Sequence, residues 1–217
     1  MSDTLLSVSL YFILIPTAAS LLTLRHSRLS AVMFMLFVLG IVTEQIMLHD
    51  RPLGEQVIFD VYCLAECAIF LWIVLAPHDG PSYRRFLIGL LLIVLPSWLF
   101  FIFIIPTPLP VNGQYLTGSG LFNSLYQVCI AYMAAAKLLK IIEMTQTPYE
   151  APIFWIVLGI FVYCFGTFFE MIFLWKKLLA QEIWYIHNII NIVTYIIYSI
   201  GLAKVYEQKK HVQKPSP

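Results

Sequence analysis

The sequence predicts an all-α membrane protein, a single bundle of seven transmembrane helices. Three observations carry this. Hydrophobic residues make up 60% of the 217 and charged residues only 12%, whereas a soluble domain is about a quarter charged. The mean hydropathy is +0.85. Seven apolar stretches fill most of the chain, each near the roughly 20 residues that a helix needs to cross a hydrocarbon core about 30 Å thick. An open-ended segment in lipid must satisfy its own backbone, so these stretches read as helices and not strands.

The first span is 5–24. No basic region precedes it and it is long for a signal sequence, so it reads as a retained helix. Pro16 within it predicts a kink. The second, 29–48, carries Glu44, and the third, 57–76, carries Asp60, Glu66, Cys63 and Cys67. The fourth, 86–105, contains Pro96, a second expected kink. The connection 106–119, PTPLPVNGQYLTGS, is uncharged and holds three prolines. It predicts an extended outer loop, a tether between two halves of the bundle or a lid. The fifth span, 120–142, presents Asn123 and Gln127 one turn apart. The sixth, 153–174, presents Tyr163, Gly166, Thr167 and Glu170 at helical spacing, and the seventh, 183–206, presents His187, Asn191, Thr194 and Tyr198. Residues 1–206 thus form one membrane domain, and 207–217 a short basic tail with Lys209, Lys210 and Lys214.

Lysine and arginine set the expected orientation. Arg25, Arg28, Arg84, Arg85, Lys137, Lys140, Lys204, Lys209, Lys210 and Lys214 fall on one side, and only Arg51, Lys176 and Lys177 on the other. Positive residues stay inside, so the N-terminus is expected outside and the C-terminus inside, in a multi-pass protein of the inner (cytoplasmic) membrane. Trp155, Trp175 and Trp184 sit where interfacial anchors belong. The net charge of +1 speaks against a nucleic-acid partner. All four cysteines fall within spans, where small packing residues are their ordinary meaning. A repeat is also legible. Gly40, Glu44, Ile46 and Leu48 align with Gly166, Glu170, Ile172 and Leu174, which predicts a three-plus-one-plus-three plan of the kind that some transporters use.

Ionisable groups at bilayer depth are costly, so each is a candidate site residue. Glu44, Glu66, Glu170 and His187, with Asn191, Gln127 and Tyr163 beside them, form inward stripes and predict a ligand-binding polar cavity in the outer half of the bundle. Carboxylates with an imidazole can relay protons, bind a divalent metal or hold a polar or cationic ligand. The competing reading is that their hydrogen bonds only join helices. Catalytic signatures are missing: there is no HExxH, GxSxG or P-loop, and no cofactor motif. His187 is the one histidine well inside a span, fewer than zinc-dependent membrane hydrolases need. Lys204, the lysine of the last span, lies at its end, which disfavours a retinal pigment.

Three segments carry a family resemblance: Val61-Tyr-Cys-Leu-Ala-Glu66; Phe154-Trp155 through Tyr163, followed by Gly166-Thr167; and Ile186-His187 through Asn191. They resemble a group of small seven-span membrane proteins of Bacteroidota, largely uncharacterised and often encoded near sensor histidine kinases. Glu44 and Glu170 lie outside that pattern. The resemblance implies a receptor or accessory role with a sensor kinase or other membrane protein as partner. Two functions are therefore expected: a receptor- or sensor-like protein taking a small molecule or proton on its outer side, or a small proton-coupled transporter built on the repeat.

Overall fold

The computed structural model describes residues 8–9, 11–25, 27–49, 55–75, 81–103, 109–111, 114–116, 118–173 and 180–212. Among the described residues, seven helices of ten residues or more dominate: α1 (Leu14–Thr23), α2 (Arg28–His49), α3 (Glu55–Leu75), α4 (Pro81–Phe103), α5 (Gly118–Met144), α6 (Pro152–Phe173) and α7 (Ala180–Val212). Among the described residues, α2, α3, α5, α6 and α7 each contain a window long and apolar enough to cross a membrane. The apolar lengths described for α1 and α4 are shorter, Leu14–Thr23 and Leu92–Phe103. The outer surface is itself apolar. Leu22, Leu92, Phe103 and Tyr132 are all more than 60% exposed. Apolar exposure on this scale marks a surface that meets hydrocarbon and not water. The chain is a polytopic helical membrane protein.

Local chemistry accounts for the helix details. In α1, Pro16 lies in the first turn of regular helix, where its missing N–H costs least. The hydroxyls of Thr17, Ser20 and Thr23 bond back to the carbonyls of Ile13, Thr17 and Ala19 at 2.6, 2.7 and 2.9 Å, so no polar group on this helix is left facing lipid. Pro96 lies inside α4, which continues through it. α7 runs past 206 to Val212, so part of the expected tail is helix. Glu207, Gln208, Lys209 and Lys210 are good helix formers, and Lys204 pairs with Glu207 at 2.8 Å.

The connection 106–119 departs from a plain loop. Leu109–Val111 (β1) pairs antiparallel with Gln114–Leu116 (β2), with Leu109 opposite Leu116 and Val111 opposite Gln114. The sequence between the two strands reads Asn112-Gly113, a dipeptide that favours two-residue hairpin links.

Packing follows a closed circuit. α1 lies against α2, α2 against α3, α3 against α5, α5 against α6, α6 against α7, and α7 back against α1. α4 stands outside the circuit, against α3 and α5. Contacts fix the directions. Gly159 meets Tyr198 and Gly166 meets Ile190, so α6 and α7 are antiparallel. Tyr126 reaches Glu66 and Lys137 reaches Ile73, so α5 runs parallel to α3. One end of the bundle therefore gathers the start of α3, α5 and α7 and the end of α2 and α6; it is called the polar end below. The opposite end gathers Arg25, Arg28, Lys140, Lys204, Lys209 and Lys210 and is the basic end.

The core is densest toward the basic end. Met33, Phe37, Phe70, Ile73, Ile130, Ala134, Ile156, Ile160 and Leu202 are each at most 2% exposed. Their spacing of three and four residues along each helix gives one apolar stripe per helix. Small residues let α6 and α7 approach closely. A Cβ at Gly159 would overlap the Tyr198 ring, and one at Gly166 would lie 2.6 Å from Ile190 Cδ1.

Candidate functional site

α3 buries Cys63, Cys67 and Phe70 on its inner face. Glu66 falls on that face by helical spacing and is only 2% exposed. An ionised carboxylate at this depth is tolerated only if its oxygens are hydrogen-bonded, and tyrosines supply those bonds. Tyr62, one turn earlier on α3, donates to Glu66 Oε1 at 2.7 Å. Tyr126 of α5 donates to Oε2 at 2.5 Å. Tyr163 of α6 packs its ring edge-on against Phe70, one turn along α3 from Glu66. One carboxylate thus ties α5 to α3.

The fourth side of the cluster is α7. His187 is close enough to interact electrostatically with both Glu66 and Glu44. Its Nε2 lies 3.1 Å from Asn191 Nδ2, one turn on. Glu44, on α2, is partly exposed near the polar end. Tyr195 and Tyr198 of α7 also feel the Glu66 charge, and both rings pack on Phe37, at 6.5 and 5.7 Å between centroids.

Of the residues singled out from sequence, the structure gathers Glu66, Tyr163 and His187 in one cluster, with Asn191 bonded to His187 and Glu44 facing His187 from α2. Gln127 is 2% exposed, next to Tyr126, and its Oε1 has no hydrogen-bond partner among the described residues. The side chain of Glu170 lies outside the described residues. Thr167 does not offer its hydroxyl to the cluster; it bonds the Tyr163 carbonyl at 2.6 Å. Asp60 is buried at 6% exposure, under α4, whose Trp98 donates Nε1–H to the Asp60 carbonyl at 3.1 Å. Cys63, Cys67 and Cys164 are buried free thiols, whereas Cys129 is exposed. Among the described residues, no group of three or more His, Cys, Asp or Glu side chains is placed to hold a metal ion.

Tyr62 and Tyr126 were not legible as site residues. A tyrosine is mostly apolar ring, and on a helix stripe it reads as core. Only the i, i+4 spacing of Tyr62 and Glu66 hinted that a hydroxyl would find the carboxylate.

A cavity of about 350 Å³ opens elsewhere, between α1 and α7. Phe12 and Ile15 line one wall, and Tyr195, Ile196, Ser199, Ile200 and Ala203 the other. It is apolar, and none of the candidate ligand-binding residues lines it.

No family model, curated protein or solved structure matches this chain. The chemistry of the cluster therefore has to speak for itself. It consists of one deeply buried carboxylate, two phenol hydroxyls, and a histidine linking that carboxylate electrostatically to a second one near the polar end. Such a set can hold, exchange or relay a proton. Adding a proton to Glu66 makes one carboxylate oxygen a donor and weakens it as an acceptor for the tyrosine hydroxyl that points at it.

Proposed function

We propose that this protein is a receptor-like membrane protein without catalytic activity. Its input is protonation at the Glu66–His187 cluster, reached from the polar end, and its output passes to a membrane partner such as a sensor kinase at the basic end. The observation that carries this reading is the position of Glu66, a buried carboxylate shared by tyrosines of different helices. A change in its charge alters the bonds that hold those helices in register. The positive-inside count makes the basic end cytoplasmic, where a partner would dock.

The test uses purified protein in nanodiscs. Infrared difference spectra are recorded across the pH range in which it stays folded. A protonated-carboxyl C=O band that grows and fades with pH, and is lost in Glu66→Gln, supports the reading. A band that never changes with pH, or one that persists in Glu66→Gln, overturns it. Co-purification of a membrane partner that Glu66→Gln no longer engages would extend it to signalling.

A second reading, a small proton-coupled carrier, draws on the packing circuit. Exchanging α1, α2 and α3 with α5, α6 and α7 maps the pairs of that circuit onto one another. The pair α1–α2 falls on α5–α6, α2–α3 on α6–α7, and α7–α1 on α3–α5, while α4 stands outside as a linker would. This order is what a three-plus-one-plus-three plan requires. Proton uptake into proteoliposomes that Glu66→Gln abolishes would favour the carrier; sealed vesicles with a normal Glu66 infrared response would favour the receptor.

A further inference from the structure

Small residues leave the seam between α1 and α7 open. Ile196, Ser199, Ile200 and Ala203 follow one another at helical spacing and form the α7 wall of the cavity, with Phe12 and Ile15 of α1 opposite. Ser199 and Ala203 carry too few atoms to fill the space between the helices. Ile15 and Ile196 are 52% and 47% exposed, so the cavity is a groove on the outer surface of the bundle, the surface that meets hydrocarbon. The Ser199 hydroxyl donates to the Tyr195 carbonyl of its own helix at 2.7 Å, which leaves it no hydrogen to offer an occupant. The groove therefore suits an apolar chain. A water takes up about 30 Å³ and a methylene about as much. The groove, at about 350 Å³, thus holds roughly a dozen methylenes, most of one acyl chain.

The groove leads toward the basic end, where both of its helices carry cations. On α7, Lys204 lies one turn beyond Ile200, about 6 Å further along the helix. On α1, steps of seven and three residues lead from Ile15 through the exposed Leu22 to Arg25. Arg25 is exposed and makes no ion pair among the described residues. Lys204 pairs with Glu207 at 2.8 Å, but an ammonium has three donors, so donors remain for a second acceptor. An apolar groove facing lipid, with a cation on each wall at its headgroup end, has the complement of an anionic phospholipid.

We propose that the groove between α1 and α7 binds one acyl chain of an anionic phospholipid, whose phosphate is held by Arg25 and Lys204 at the basic end. The chain lies against Phe12 and Ile15 on one side and Ile196 and Ile200 on the other, and covers Ala203. Arg25 meets the phosphate with its planar fork and Lys204 as a point charge. The bound lipid completes the seam at which the packing circuit closes, from α7 back to α1. A helix from a second copy of the chain fits less well. At about 10 Å across, it fills more than this volume within about one turn. The site lies apart from the Glu66 cluster and does not depend on the proton reading.

The test is native mass spectrometry of the full chain in detergent, titrated with phosphatidylglycerol or with phosphatidylcholine of the same acyl chains. One phosphatidylglycerol per chain is expected to bind in preference to phosphatidylcholine. Arg25→Gln and Lys204→Gln should each weaken phosphatidylglycerol binding about five-fold and leave phosphatidylcholine unaffected. Ala203→Trp fills the groove and should abolish the preferred site; Ser199→Leu is a second filling variant should Ala203→Trp not fold. Leu92→Trp, on the exposed face of α4, adds the same bulk outside the groove and should bind lipid as the unmodified protein does. Equal binding of the two lipids, or filled variants that bind as Leu92→Trp does, means ordinary surrounding lipid only and overturns the proposal. Unchanged binding in both charge variants overturns the headgroup assignment. A dimer that forms without lipid and is lost in the filled variants gives the groove to a second copy, and overturns the proposal as well.

Discussion

The two halves of this bundle are held together by different chemistry. In the polar half and at mid-depth, side-chain hydrogen bonds converge on Glu66, from Tyr62 within α3 and from Tyr126 across to α5, and His187 and Asn191 bond each other along α7. In the basic half they are joined by close packing of Phe37, Phe70, Ile130, Ile156 and Leu202, with Gly159 letting α6 and α7 come together. Packing is short-ranged and insensitive to charge, whereas a shared carboxylate responds to a single proton. In the proposed reading, the contrast divides a half that changes state from a half that keeps the bundle intact while it does so. Lys137 is the exception within the apolar half. Its Nζ donates to the Ile73 carbonyl at 2.7 Å, meeting one of the orphan carbonyls at the end of α3, a position that favours a cation.

The largest effect is expected from Glu66→Leu. It leaves the Tyr62 and Tyr126 hydroxyls buried without their acceptor, a loss of about 2–5 kcal/mol, while Glu66→Gln keeps an acceptor and loses far less. Unfolding in mixed detergent measures both. Equal losses for the two variants would mean that volume, and not hydrogen bonding, holds the polar half together. Next comes Gly159→Val, which drives new atoms into the Tyr198 ring and should cost about 1–3 kcal/mol by overpacking. Its infrared pH response at Glu66 should survive. Loss of that response would show that the halves do not act separately. Tyr126→Phe removes one bond to Glu66 at constant shape and is expected to cost about 1 kcal/mol, with the Glu66 carboxyl band shifted in frequency. An unshifted band would place the Tyr126 hydroxyl elsewhere. Lys137→Met should cost about 1 kcal/mol through the uncapped end of α3, read from hydrogen exchange at Ile73–Leu75. The smallest effect belongs to Cys129→Ser. On an exposed face it should stay within about 0.5 kcal/mol, and Cys129 should react with a membrane-permeant maleimide before Cys63, Cys67 and Cys164.

The sequence by itself determined the class of the protein and the place of most helices along the chain. The expected spans 29–48, 57–76, 120–142 and 153–174 lie within two residues of the helices observed. The reason is that solvent, and not partners, dictates them: a bilayer demands about 20 apolar residues per crossing, and that demand is met locally. The inward faces were legible for the same reason, because Glu66, His187 and Asn191 interrupt apolar helices at helical spacing. What only the tertiary structure decided is which faces meet. That α3 contacts α5 while α4 lies outside, that Asp60 is buried beneath Trp98, and that Tyr126 turns its hydroxyl onto Glu66 all depend on contacts between residues far apart in the chain. Asp60 and Trp98 are 38 residues apart, and Glu66 and Tyr126 are 60 apart. A tyrosine is mostly hydrocarbon with one polar atom, so its place in the pattern is settled by its ring. The role of its hydroxyl is settled only by the helix packed against it.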